Sequence, residues 1–193
     1  LIKVIIGLLT PETGSIMISG SDVRQYARAD LFRKVGTVFQ ESWLFSGTIR
    51  DNVAMGQDDC SEQNIVDCLR AAGANFIGEG TSADLDFLIQ DQGSNLSGGQ
   101  RQSIMMARAL AFNPDIFLFD EPTSAMDGLT ESEVIASLSS NLGNKTLLVV
   151  THKMPVVAMC DRVLVMDNGK LVGDGTKDAY FELLQKQLQQ KAK

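Results

Sequence analysis

The string Leu96-Ser97-Gly98-Gly99-Gln100 sets a hydroxyl and two adjacent glycines directly before a helical pattern. Glycine, lacking a Cβ, lets backbone come close to an anion, and a helix start supplies free N–H groups and the positive end of a dipole. That combination is a phosphate site. Further along, the apolar run Ile116-Phe117-Leu118-Phe119 delivers Asp120 and Glu121 to what reads as the C-terminal end of a strand, the edge where open α/β sheets bind ligands. Of two such carboxylates, one can hold Mg²⁺ and the other can activate water. Taken singly, each feature has an ordinary reading: a glycine-rich loop before a helix, and an acidic turn. Together, with Pro122-Thr123-Ser124 following, they favour a site that handles phosphate.

Three further positions fall at strand ends or turns. Gln40 follows the strand pattern Val35-Gly36-Thr37-Val38-Phe39, His152 follows Thr146-Leu147-Leu148-Val149-Val150-Thr151, and Asp127 ends the turn begun by Asp120. A lone glutamine is an anonymous surface residue, and a lone histidine is more often structural. Their order along the chain is what carries weight. In that order the chain resembles the ATP-binding cassette (ABC) ATPases: Q-loop at Gln40, signature at Leu96 to Gln100, Walker B at Asp120-Glu121, D-loop at Asp127 and H-loop at His152. The segment Trp43-Leu44-Phe45-Ser46-Gly47-Thr48-Ile49-Arg50-Asp51-Asn52-Val53 is similar to the matching stretch of exporter-type cassettes, in character nearest to type I secretion and related peptide or lipid exporters.

The resemblance implies an α/β fold, a P-loop NTPase-like ATPase core with a helical subdomain inserted between Q-loop and signature. It implies one domain over residues 1–193, with residues 1–41 and 115–193 forming the core lobe and 42–114 the helical subdomain and signature helix. ATP and Mg²⁺ are the implied cofactors. Glu121 would polarise the attacking water, His152 would contact the γ-phosphate, and Asp120 and Gln40 would hold Mg²⁺ through water. Leu96, Ser97, Gly98, Gly99, Gln100 and Asp127 would serve nucleotide binding. The implied partners are a second nucleotide-binding domain, docked head to tail with ATP between the two, and transmembrane domains that meet the Trp43–Phe45 region. The work would be ATP-driven export at the cytoplasmic face of the membrane, with membrane contact indirect.

Two departures matter. The sequence contains no Gly-x-x-x-x-Gly-Lys-Ser/Thr string; its one Gly-Lys pair, Gly169-Lys170, lacks the upstream glycine. The expectation is a chain cut just after a Walker A loop. The rivals are a degenerate cassette that does not hydrolyse, and a soluble ABC ATPase not coupled to transport. Intact Glu121 and His152 argue against the first. Against DNA-acting relatives stands the absence of any heptad run between Gln40 and Ser97. The other departure is milder: Gln90-Asp91-Gln92-Gly93 matches the exporter loop before the signature only weakly.

The elements that must position these residues follow from composition and periodicity. With 193 residues, 44% hydrophobic and 21% charged, the chain can bury one substantial core. A formal net charge of -7 disfavours nucleic acid as a partner. No apolar window approaches the ~20 residues that span a bilayer. Three cysteines without C-x-x-C spacing and a single histidine disfavour a zinc or disulfide framework. The opening Leu-Ile-Lys-Val-Ile-Ile-Gly-Leu-Leu, apolar nearly all round, reads as buried helix or strand, and residues 15–20 alternate as a half-exposed strand. A short helix closes with Leu31-Phe32-Arg33. Residues 48–80 read as helical, with Ile65, Val66, Leu69 and Ala72 on one apolar face. Helices are predicted over 98–112 and 129–142, a strand over 115–119, and a hairpin of strands 161–166 and 170–172 about Asn168-Gly169. From residue 176 the pattern is a polar, glutamine-rich helix.

Overall fold

The computed structural model describes residues 1–40, 42–57, 59–77 and 81–191. They form two compact units, Leu1–Val150 and Thr151–Lys193.

The first unit opens with α1 (Ile2–Ile5). Ile2 and Ile6 are buried in a cluster with Ile18, Val23, Leu31, Val35 and Leu118. The expected burial of the whole opening run stops there: Leu8 and Leu9 are exposed. The cause is Gly7, whose φ of 71° ends the helix, with the Leu8 N–H closing back on the Lys3 carbonyl at 2.9 Å. The strand expected over 15–20 is instead a miniature hairpin of β1 (Met17–Ile18) and β2 (Ser21–Asp22). Ser19 and Gly20 between them both take positive φ, 48° and 82°, and so turn the chain back where an extended strand would have continued.

After α2 (Arg28–Lys34) come β3 (Val35–Val38), β4 (Gly47–Thr48), α3 (Ile49–Ala54), α4 (Glu62–Ala71), α5 (Ser82–Leu85) and β5 (Leu88–Ile89). The continuous helical character read over 48–80 resolves into separate pieces; residues 58 and 78–80 lie outside the described residues. Thr48 and Asp51 start α3 with a reciprocal capping box, and Met55 and Gly56, at φ 45° and 78°, end it. Ile65, Val66, Leu69 and Ala72 are all buried, as their spacing predicts.

The unit's sheet completes with α6 (Gly98–Ala111), β6 (Ile116–Asp120), α7 (Gly128–Asn141) and β7 (Thr146–Val150). Its order is β3-β6-β7, all parallel, with Val38 beside Phe119 and Phe119 beside Val149. This register ends the three strands at one edge. Helix α6 packs on α3, α4 and β3, so it carries the start of the 96–100 string alongside that sheet.

In the second unit α8 (Met154–Ala158) leads to the antiparallel pair β8 (Arg162–Asp167) and β9 (Lys170–Thr176), then α9 (Lys177–Lys191). Asn168 and Gly169 make the predicted two-residue turn, at φ 46° and 75°. Strand β9 runs on to Thr176, past the expected end at 172, and Arg162 forks onto Asp174 across the pair at 2.6 and 2.7 Å.

Candidate active site

Phe117, Leu118 and Phe119 are fully buried and anchor β6, which leaves Asp120 and Glu121 at the shared C-terminal edge. Glu121 takes a left-handed φ of 51°, a conformation a residue with a Cβ adopts only when its surroundings over-determine it. Here both sides of its backbone are held. Its N–H donates to the Val150 carbonyl at 2.8 Å, and its carbonyl accepts from the Gln102 amide at 2.8 Å and from the Ser124 N–H at 3.2 Å. Thr123, buried just beyond, donates its hydroxyl to Glu131 at 2.5 Å. The turn finishes at Asp127, the N-cap of α7.

Both Asp127 carboxylate oxygens are engaged in that cap. Oδ1 accepts from the Leu129 and Thr130 N–H groups at 3.0 Å each, and Oδ2 from the Thr130 hydroxyl at 2.9 Å. The Thr130 N–H and hydroxyl hold the carboxyl below the usual carboxylate range. Of the residues read as nucleotide-binding, Asp127 is thus committed to holding the start of α7.

Ser97 caps α6 in the same manner. Its Oγ accepts from the Gln100 N–H at 3.1 Å, while Gln100 Oε1 accepts from the Ser97 N–H at 2.8 Å. This capping box leaves the serine's own O–H proton to donate outward. It also leaves the first-turn N–H groups of α6 without intrahelical partners. The loop before it is tied down by Arg101, whose guanidinium donates to the Gly93 and Leu96 carbonyls at 3.2 and 2.8 Å. The two signature glycines leave little room for a side chain against Ala125. A Cβ on Gly98 would lie 3.2 Å from the Ala125 Cβ, and one on Gly99 would lie 3.1 Å from the Ala125 carbonyl oxygen.

The remaining predicted residues lie as follows. Gln40 is exposed just past β3, next to Phe39, which exchanges two 3.0 Å hydrogen bonds with Ser42. Leu96 is buried and supports the loop. His152 is exposed and belongs to the second unit, beside Thr151, whose hydroxyl accepts from the Lys153 N–H at 3.0 Å. Among the described residues no three or more His, Cys, Asp or Glu side chains gather as a metal cage. The donor set fits Mg²⁺ taken through water and phosphate with a single carboxylate, Asp120.

Sequence reasoning missed two groups. Gln102 is only 6% exposed, and its amide binds Glu121, Ser124 and Ala125. Its signal was a polar residue at helical spacing with Met105, Met106 and Ala109, on the buried face of α6. Arg108, at the far end of α6, donates to the Asn52 carbonyl and side chain at 2.8 and 2.7 Å and to the Trp43 carbonyl at 3.2 Å. It also lies 5.4 Å from the Phe45 ring centre, and burial pulls its pKa down to about 10.

Comparison with known proteins places this geometry in context. A family model described as "ABC transporter" matches residues 1–124. The chain is 38% identical over 169 residues to a β-(1→2)glucan export ATP-binding/permease protein of Rhodopseudomonas palustris, covering 87% of this chain and 28% of that protein. It is 37% identical over 166 residues to the α-hemolysin translocation ATP-binding protein HlyB of Escherichia coli O157:H7, covering 86% and 24%. Against an ATP-dependent lipid A-core flippase of Syntrophus aciditrophicus the figures are 35% over 184 residues, 92% and 31%. The fold matches a solved bacterial Atm1-family ABC exporter with ATP bound at a TM-score of 0.86 and 31% identity, over 93% of this chain and 32% of that one. The chain therefore spans less than a third of the length of each of these relatives.

Proposed function

The chain belongs to the ABC transporter family, and from that membership we propose that it is the ATP-binding and ATP-hydrolysing part of an exporter, working at the cytoplasmic face of a membrane. The observation that carries the proposal is the in-register end of β3, β6 and β7, with Glu121 held in a left-handed conformation at its apex.

Each role is the one that the family resemblance carries to the matching residue. Glu121 orients a water and accepts its proton as the water attacks the terminal phosphate. Asp120 and Gln40 hold Mg²⁺ through its water shell, and His152 donates to the γ-phosphate. When bound, Mg²⁺ neutralises charge that develops on the phosphoryl oxygens. The Ser97 hydroxyl and the α6 N–H groups at Gly98 and Gly99 are a second set of donors for that phosphate, offered to ATP held by another copy of the domain. Asp127 contributes by fixing the turn that carries Glu121. Core and helical lobes, 1–41 with 115–193 and 42–114, remain our division of labour between chemistry and coupling.

Coupling to transport is supported by the helical side. Trp43 is 62% exposed while its carbonyl is held by Arg108. On the same helical side, a cavity of about 520 Å³ is lined by Phe45, Arg50, Met55, Cys60 and Ile65, among others. Such a face suits a docking segment from a membrane-spanning partner. No described helix is long and apolar enough to cross a membrane itself. The named relatives export a glucan, a hemolysin and a lipid at similar identity, which widens the proposed cargo to peptide, protein, lipid or glycan.

The test is Glu121→Gln in the full-length gene product. ATP binding persists and steady hydrolysis falls by about 100-fold or more if Glu121 is the base. Turnover near the parental rate removes it from that role.

A further inference from the structure

Gln102 sits on the buried face of α6, one turn inside the helix that Ser97 caps, and reaches the turn that follows β6. Its two amide protons and its carbonyl are all engaged there. Nε2 donates to the Glu121 carbonyl at 2.8 Å and to the Ser124 hydroxyl at 3.2 Å, and Oε1 accepts from the Ala125 N–H at 2.9 Å. Ala125 is the residue whose Cβ and carbonyl oxygen a side chain at Gly98 or Gly99 would crowd. One side chain therefore bonds the residue that would activate water and the residue against which the signature glycines pack.

We infer that Gln102 is a positioning residue for hydrolysis, holding Glu121 in its left-handed conformation and the signature glycines in register with it. The inference rests on the reading of Glu121 as the base. The geometry explains why glutamine is needed. Glu121 cannot relax toward ordinary backbone angles without breaking the bond to Val150 on one side or to Gln102 on the other. An apolar residue of equal length fills the space but leaves the Glu121 carbonyl with only the longer 3.2 Å bond from the Ser124 N–H. A carboxylate keeps the acceptor for Ala125 and sets a second oxygen against the Glu121 carbonyl, which repels it. Protonation turns that oxygen into an O–H donor and restores the bond.

The experiment uses the full-length gene product with Mg-ATP. Gln102→Met is expected to lower kcat by about 10-fold or more while KM for ATP stays within about twofold, the signature of lost transition-state geometry rather than lost binding. Gln102→Glu is expected to be impaired at high pH and to recover relative to the parent as pH falls from about 8.5 to about 6, because a buried carboxyl titrates above its ordinary range. A flat ratio overturns the inference even if Gln102→Met fails to fold. Glu121→Gln is measured alongside. Loss of turnover there, with Gln102→Met close to parental, overturns the positioning role alone; retention of turnover by Glu121→Gln overturns the base reading.

Discussion

The N–H of Glu121 donates to the carbonyl of Val150 across 2.8 Å, although Glu121 lies beyond the last residue of β6. This bond closes the β6–β7 ladder at the Asp120–Val150 pair, and the chain turns out of the strand immediately after it, at a φ of 51°. A glutamate in that conformation is strained, and a glycine would not be.

Glu121→Gly should therefore stabilise the protein while abolishing hydrolysis. Relief of left-handed strain, less the added freedom of the unfolded chain, amounts to about 1 kcal/mol. For a chain of this size that raises Tm by about 2–4 °C. Thermal unfolding and an ATPase assay on the same preparation check it. A lowered Tm would mean that the Glu121 side chain contributes more to folding than its backbone costs.

Ser97 has two roles that substitution can separate. Ser97→Ala removes the N-cap acceptor for Gln100 and costs about 1 kcal/mol of stability along with the hydroxyl donor. Ser97→Asp keeps a good cap but sets a negative charge where a phosphate would bind. The aspartate variant should melt near the parent and hydrolyse ATP far more slowly than the alanine variant. Equal activities of the two would remove Ser97 from phosphate contact.

The cap of α7 should be sensitive to acid. The Thr130 N–H and hydroxyl keep the folded pKa of Asp127 below its unfolded value. A depressed carboxyl contributes stability above the unfolded pKa, about 3.9, and loses it as pH falls through the folded value. The difference in Tm between the parent and Asp127→Asn should thus be widest from about pH 5 upward, above the unfolded pKa, and narrow as pH falls through the lower folded value. A difference that grows toward low pH would contradict the cap as the source of the shift.

What the sequence made legible divides by range. The β6 run, α6, α7, the apolar face of α4 and the Asn168-Gly169 turn all stand where expected within a residue or two, because periodicity and turn chemistry are local. The strand expected at 15–20 broke because Ser19 accepts positive φ, which an alternating pattern does not report. At the site, the carboxylates and the signature were legible as motifs. Gln102 and the Arg108–Asn52 pair were not, since their hydrogen bonds span about 20 and 56 residues; the polar Gln102 on an apolar helix face marks a buried polar group but not its partners. Nor did the motif reading anticipate that Asp127 and Gln100 would spend their side chains on helix caps.

The assignment of Ser97 to another subunit's ATP can be tested by mixing two inactive proteins. In full-length gene products, one carries Ser97→Asp and the other Glu121→Gln. If each site takes Glu121 from one chain and Ser97 from the other, the mixed dimer contains one site with both groups intact and one with both impaired. Hydrolysis in the mixture should then exceed that of either parent, increasing as subunits exchange. If Ser97 and Glu121 of the same chain serve the same ATP, every site in every dimer carries one lesion. The mixture would then remain as inactive as its components however long exchange continued. The contact of Gly98 and Gly99 with Ala125 leaves the outcome open to measurement, because it fixes the backs of the glycines within one chain while the Ser97 hydroxyl and the α6 N–H groups stay available to a partner.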